Sequence, residues 1–381
     1  MRILLVCSTA DGGHYSENKA FLTKAFSEIG HEVLPFHQSI QKTKKISKYI
    51  PGYARTRLQI RLDALLALRI LAEFIQHLRN NSQCPDFLYF AFLDEWMGQY
   101  LTRWDFDSQL GIPFSGTLFS PPTVHQMAKT ILRQGPFDRY NVLKSKWCRS
   151  VCLMFEEAIP VLMGLIKKPV YEIPDVVAVP PTKQDNSFGE HIRNIAGHRF
   201  IIGLWGALEI RKGTSEFLQM PLGLPSEEFF FVMGGRIHGQ DKWPENEKLL
   251  LPQSKSGIIE NLIILDQWLS DDELWSGMRA CDLIFAAYPG FRFTSGIIGK
   301  AAALRIPILV NDGFVMARRV RDFNLGFVKQ EKADVTRWVS GNIGRIKELR
   351  GSLPFQEGCL KYCERYGYGQ WKRALTHLIE P

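Results

Sequence analysis

The sequence predicts an α/β protein built as two Rossmann-like halves, each a parallel sheet wrapped in helices. Three observations predict it. The chain has 381 residues, more than one typical domain and enough for two of about 150–200 residues. Short apolar runs alternate with helical stretches in two successive series, the pattern of βαβ units with parallel pairing. Between the series lies a polar, proline-bearing stretch, Pro180-Pro181-Thr182-Lys183-Gln184-Asp185-Asn186-Ser187, which reads as a linker.

In the first series, strands are expected at Arg2–Ser8, His31–Phe36, Asp86–Phe92, Pro113–Phe119, Val151–Phe155 and Val170–Ile173. Helices are expected at Glu17–Ile29 and Arg57–Leu78, the latter with an apolar pattern through Leu65, Leu66, Ile70, Leu71, Phe74 and Ile75. In the second, strands fall at Arg199–Trp205, Glu228–Met233, Asn261–Leu265, Asp282–Ala286 and Ile306–Val310. Helices fall near Thr214–Gln219, Ser270–Met278, Ser295–Leu304 and Val335–Leu349. The two series share no residue-level repeat, so their likeness is architectural. In such open sheets a ligand sits beyond the carboxyl ends of the strands.

Composition excludes several classes. Apolar residues make up 45% and charged residues 23%, values of a folded globular chain rather than a disordered one. No apolar run reaches the 18–20 residues of a membrane helix. The opening Met1–Cys7 is too short for a signal peptide, so a cytoplasmic location is expected. Seven cysteines are scattered; the pairs Cys148/Cys152 and Cys359/Cys363 lack the two-residue gap usual in zinc sites, which favours reduced, buried thiols.

The formal charge of +8 is concentrated. No acidic residue occurs between Val33 and Leu62, a stretch holding Lys42, Lys44, Lys45, Lys48, Arg55, Arg57 and Arg61 among apolar and aromatic residues. Segment 42–61 therefore suits an anionic membrane surface, which would make the protein peripheral at the inner membrane face, a polyanionic glycan or nucleic acid, or else a solvated loop leading into a core helix. No nucleic-acid module is recognisable, so nucleic acid is not an expected partner.

Three segments carry candidate chemistry. Gly12-Gly13-His14 follows the first strand, where glycines let backbone N–H groups approach a phosphate; the full G-x-G-x-x-G pattern is absent, which counts against a dinucleotide site. Arg211 and Lys212 lie beyond the carboxyl end of the second series' first strand, where cations meet a diphosphate. Thr294, Ser295 and Gly296 open a helix of small residues, and its exposed N–H groups and dipole suit an anion.

Taken in order, these segments resemble the retaining nucleotide-sugar glycosyltransferases of family 4, with the GT-B fold. Gly12-Gly13 is similar to their first glycine loop, and Gly30-His31-Glu32-Val33 to the Gly-His-Glu-Val before their second strand. Val170–Pro174 resembles the strand leaving the first domain, and Arg211-Lys212-Gly213 the Lys-Gly loop. Ser270–Leu274 with Ala280-Cys281-Asp282 resembles the family's helix and Ala-Asp strand. Tyr368-Gly369-Gln370-Trp371 resembles the last helix, which crosses back to the first domain. The resemblance implies two Rossmann-like domains facing a cleft: 1–179 completed by 368–381 on the acceptor side, and 188–367 on the donor side.

The chain departs from the family where two glutamates eight positions apart are usual: Arg292 and Lys300 stand there. A lysine cannot accept the ribose hydrogen bonds that the later glutamate accepts. The usual arginine ahead of the Lys-Gly loop is replaced by Gly206 or Ala207, and the acceptor-side histidine by Phe119, with His125 the nearest substitute. The donor site implied is Gly12, Gly13, Arg211, Lys212, Arg292, Thr294, Ser295, Gly296 and Lys300; the acceptor side is His14, Phe119 and His125. The implied activity is hexosyl transfer with retention from a nucleotide-diphosphate sugar to a glycan or lipid-linked acceptor. The resemblance also implies that no cofactor and no metal is required; Arg211, Lys212 and the Ser295-Gly296 helix start would stabilise the leaving diphosphate. The departures equally fit a GT-B protein that binds a nucleotide, glycan or partner protein without turnover. Asp105-Phe106-Asp107 looks like a metal-binding Asp-x-Asp, but two lone carboxylates fall short of a ligand set.

Overall fold

Apolar runs that are buried on both faces belong in parallel sheets, and the chain forms two such sheets of six strands. The computed structural model describes residues 1–7, 14–37, 52–97, 99–119, 140–154, 156–175, 177, 180, 186–239, 241, 243–244, 248 and 259–379. It divides into two compact units, Met1–Pro174 with Gly369–Pro381, and Asp175–Tyr368.

The first unit contains β1 (Arg2–Cys7), β2 (Glu32–His37), β3 (Phe87–Phe90), β4 (Phe114–Leu118), β5 (Val151–Leu153) and β6 (Val170–Glu172). They pair in the order β2-β1-β3-β4-β5-β6, every pairing parallel. Its helices are α1 (His14–Glu28), α2 (Gly52–Asn80), α3 (Arg103–Gln109) and α4 (Ile159–Ile166). Thr102 and Asp105 cap α3 reciprocally, which satisfies two of its orphan N–H groups.

On α2 the buried side is Ala64, Ala67, Leu68, Leu71, Ile75 and Leu78, spaced three and four apart as a helix stripe must be. Leu66 and Ile70, expected in that stripe, lie instead on an exposed row with Leu58 and Leu62. The apolar residues of α2 exceed what one stripe holds, and periodicity alone could not say which four lie outside it.

The second unit opens with α5 (Ser187–Ala196) and β7 (Phe200–Trp205), followed by α6 (Thr214–Gly223), β8 (Phe229–Gly234) and β9 (Leu262–Leu265). Then come α7 (Asp271–Arg279), β10 (Leu283–Ala286), α8 (Gly296–Leu304), β11 (Ile308–Asn311), α9 (Val315–Asp322), β12 (Gly326–Lys329), α10 (Val335–Leu349) and α11 (Leu353–Arg365). The strands pair in parallel in the order β12-β11-β10-β7-β8-β9. Ser270 and Glu273 form a capping box at α7.

The sheet order reverses at β7. From β7 the chain runs outward through β8 and β9, then returns to β10 on the other side and runs out through β11 and β12. The carboxyl ends of β7 and β10 thus flank a topological switch point, where open sheets bind ligands.

The final helix, α12 (Tyr368–Ile379), packs in the first unit. Trp371 is buried with its ring 6.2 Å from Phe21, and Lys372 pairs with Glu28 at 2.9 Å. This is the crossing back that the terminal Tyr-x-x-Trp implied. In the second unit, strand β12 and helices α5, α9 and α11 have no counterpart in the sequence expectation. Gly326-Phe327-Val328-Lys329 is too short and mixed to read as a strand, and α5 begins inside the expected linker.

Candidate functional site

The switch point of the second unit is built from the loops after β7 and β10. After β7 the chain turns through Gly206 to a short helical turn, Ile210–Lys212, which ends at Gly213 in the left-handed region (φ +73°). A Cβ at Gly213 would lie 2.8 Å from the Ala287 carbonyl, so glycine alone lets this loop press against the end of β10.

Glu209 receives both Nε and Nη2 of Arg211, at 2.6 and 3.2 Å. Burial alone would raise the Glu209 carboxyl, but Arg211, then Lys212 and His238, draw it below the usual carboxylate range. Lys212 is half-buried, its ammonium 5.8 Å from the centre of the Tyr288 ring. Burial, reinforced by Arg211 and opposed by Glu209, pulls its pKa down from 10.5 to about 8.

Tyr288 follows β10 and is only 3% exposed. Among the described residues its hydroxyl makes no well-formed hydrogen bond. Burial pushes the phenol up to about 12, offset in part by Ser295 and Arg211. Ser295 is the N-cap of α8 and gives no side-chain cap bond, so the first N–H groups of that helix are not closed by it. Arg211, Lys212, Tyr288 and Ser295-Gly296 thus come together: two cations, a buried phenol and a helix N-terminus on one edge of one sheet.

The other predicted residues are distributed differently. The Arg292 guanidinium lies over the Phe314 ring at 5.1 Å, and the Lys300 ammonium over the Trp275 ring at 5.1 Å. Each cation in a glutamate's expected place therefore has an aromatic face beside it. Thr294 is tied to protein groups on both sides, accepting from Arg319 Nη1 (2.7 Å) and donating to Asp175 Oδ2 (3.2 Å). On the acceptor side, Phe119 stacks on Phe92 at 4.5 Å, and its N–H donates to Asp94 at 2.5 Å. Gly12, Gly13 and His125 lie outside the described residues, as do the side chain of His14 and positions 42–51 of the basic segment. Of that segment's described cations, Arg57 lies over the Tyr100 ring and Arg61 pairs with Asp105 at 3.1 Å.

Tyr288 in the switch-point cluster and Arg319 beside it carry no role that the sequence suggests. Tyr288 ends the apolar run of β10, which was its one visible signal. Arg319, buried to 1%, sits in Met316-Ala317-Arg318-Arg319-Val320-Arg321, where nothing separates it from surface cations. The loop after β8 adds His238, whose ring meets Trp268 of the loop after β9 edge-on at 6.0 Å, and Trp268 is 73% exposed.

Two other groups of charged residues are engaged within the protein. Asp105 caps α3 and pairs with Arg61, while Asp107 accepts from Ser145 Oγ and the Lys146 N–H. A cavity of about 360 Å³ at the amino ends of the second sheet is lined by Arg193, His198, Asp282, Lys347 and Arg350. There Asp282 is already engaged by Arg193, Arg350 and the Ile201 N–H. Among the described residues no three His, Cys, Asp or Glu side chains gather as metal ligands, and no helix is long and apolar enough to cross a membrane.

No family model matches the sequence, and no curated protein matches it. Solved structures do match the fold. HepE of Anabaena, solved in complex with UDP and glucose, superposes with a TM-score of 0.67 at 10% identity, over 100% of this chain and 99% of that one. A sucrose-phosphate synthase from Thermosynechococcus elongatus gives 0.67 at 13% identity, covering 99% and 98%. An α,α-trehalose-phosphate synthase (UDP-forming) from Burkholderia vietnamiensis gives 0.66 at 12%, covering 100% and 99%. The chain has the two-domain GT-B fold of these glycosyltransferases along its full length.

Proposed function

We propose that the chain transfers a sugar from a nucleotide-diphosphate sugar to a glycan or lipid-linked acceptor, with retention and without a metal. The observation that carries this reading is the cluster at the β7–β10 switch point. Arg211 and Lys212 supply charge, the Tyr288 hydroxyl supplies a buried donor, and the start of α8 supplies oriented N–H groups. Negative charge grows on the diphosphate as the sugar leaves, and preorganised donors of this kind contribute roughly 3–4 kcal/mol each to such a transition state. The solved structures of HepE with UDP, and with UDP-glucose, make a uridine nucleotide the first donor to try.

The chemistry follows from these groups. Glu209 holds Arg211 through two hydrogen bonds, so the guanidinium is oriented before a donor arrives. Lys212, with its pKa lowered to about 8, is largely charged at pH 7 and meets the growing charge as a cation, taking up a proton on binding only as the pH rises to 8 and above. A leaving-phosphate oxygen accepts the acceptor hydroxyl's proton, so no separate protein base is needed. A cytoplasmic enzyme peripheral to an anionic membrane is part of the same proposal. The exposed row Leu58, Leu62, Leu66 and Ile70 on α2, next in sequence to the basic segment, supports a lipid-linked acceptor.

The second reading, binding without turnover, is favoured by Arg292 and Lys300, which lie against Phe314 and Trp275 rather than offering carboxylates. The test separates the two. The protein is incubated with UDP-glucose and UDP-N-acetylglucosamine, with and without EDTA, and UDP release is followed. Release that EDTA leaves unchanged, with an α-configured product from an α-linked donor by NMR, is the outcome for transfer. Binding without any release is the outcome for the second reading.

A further inference from the structure

Arg319 is the most deeply buried arginine the structure describes, and no step above uses it. Its Nη1 donates to Thr294 Oγ1 at 2.7 Å. Its guanidinium carbon lies 4.3 Å from the centre of the Tyr366 ring, and the Tyr362 hydroxyl also bonds to it. Thr294 in turn donates to Asp175 at 3.2 Å. Tyr366 gives its backbone carbonyl to the Val177 N–H at 3.0 Å, and Val177 packs on Gly299 of α8, where a Cβ would stand 3.1 Å from its methyl.

These partners have a common property. The chain passes between its two units at Pro174–Asp175 and again at Tyr368–Gly369. Asp175 and Val177 follow the first crossing, and Tyr366 precedes the second. Thr294 is next to Ser295 and the α8 N-terminus, the anion end of the proposed donor site. One buried guanidinium therefore joins the donor loop to the segments beside both crossings. A buried charge held by several partners at once has one favourable position, because leaving a partner exposes an uncompensated group.

We infer that Arg319 is a positioning residue. It fixes Thr294, and through it the Ser295-Gly296 helix start, and it transmits occupancy of that start to the backbone at Val177 and Tyr366. The inference rests on the donor reading above. Coupling through such a cluster needs no long path, since Thr294 and Val177 touch the same guanidinium–tyrosine group.

Nucleoside diphosphates (UDP, GDP, ADP and CDP) are titrated into the unaltered protein by calorimetry, and the tightest is carried forward. Amide exchange at Val177 is then followed by mass spectrometry, with overlapping peptides, without and with saturating nucleotide. Arg319→Met risks the fold, so the informative variant is Thr294→Val, which keeps the shape and removes the hydroxyl between Arg319 and Asp175. Saturation is expected to slow Val177 exchange severalfold in the unaltered protein. In Thr294→Val, affinity falls about tenfold, and saturation no longer changes Val177 exchange. A merely structural Thr294 would shift exchange in the unliganded protein but leave the nucleotide-induced change intact. An unchanged Val177 rate on saturation of the unaltered protein, or a full response in Thr294→Val, overturns the inference. Failure of every nucleotide to bind the unaltered protein overturns the donor reading, and this inference with it.

Discussion

Raising the pH during a nucleotide titration should reveal Lys212. In the unliganded protein its pKa is about 8, lowered chiefly by burial, so the ammonium is about half protonated at pH 8 and about one-tenth protonated at pH 9. A diphosphate beside it restores the charged form. Phosphate itself is ionised across this range, its second pKa being about 6, so proton uptake belongs to the protein. With the bound pKa back at the ordinary 10.5, binding takes up about 0.1 proton at pH 7, about half at pH 8 and about 0.9 at pH 9. Affinity then falls about twofold by pH 8 and about tenfold by pH 9, relative to pH 7. Calorimetry in two buffers of different ionisation enthalpy measures the uptake directly. Lys212→Met should bind more weakly at pH 7 and show no uptake at any pH. Uptake that persists in Lys212→Met, or affinity that stays flat to pH 9 in the unaltered protein, would show that Lys212 does not face the diphosphate.

Three further outcomes follow from the geometry. Lys329 has a fully buried side chain that pairs with Glu216 at 3.2 Å and donates to the carbonyls of Gln330, Glu331 and Ala333. Lys329→Met should cost about 2–4 kcal/mol in urea unfolding, somewhat less than a fully buried pair because Glu216 stays 27% exposed. Gly235 has φ +140°, and a Cβ there would lie 1.9 Å from the Gly206 carbonyl. Gly235→Ala should therefore lower stability by about 3 kcal/mol and weaken nucleotide binding by moving the loop after β7. Leu62→Glu with Leu66→Glu should abolish sedimentation with anionic vesicles while leaving donor hydrolysis unchanged, and a double variant that still sediments would dismiss the membrane surface.

The sheets were legible because parallel strands must be apolar on both faces. Phe200–Trp205 and Phe229–Gly234 are unbroken apolar runs that could hardly be surface elements. β12 was not legible, since Gly326-Phe327-Val328-Lys329 buries a lysine that looks exposed on paper. Of the site, Arg211 and Lys212 could be found because a basic pair stood just past the end of a strand. Gly296 could be found because small residues open a helix. Arg292 and Lys300 were read by analogy with carboxylates, yet their placement is set by Phe314 and Trp275, residues far enough along the chain that spacing gives no hint. Arg319 was invisible for the same reason. Its partners Thr294, Tyr362 and Tyr366 come from two other segments, the loop before α8 and the end of α11, and only the folded chain brings them together.

The whole proposal depends on the β7–β10 edge holding a nucleotide diphosphate. Calorimetric titration of UDP, GDP, ADP and CDP into the unaltered protein and into an Arg211→Ala, Lys212→Ala double variant tests it most directly. Two charge-assisted contacts are lost in the variant, each worth about 1.5 kcal/mol or more, so at least one nucleotide should bind the unaltered protein and bind the variant about a hundredfold more weakly. Equal affinity in both proteins, or no binding by either, would contradict it.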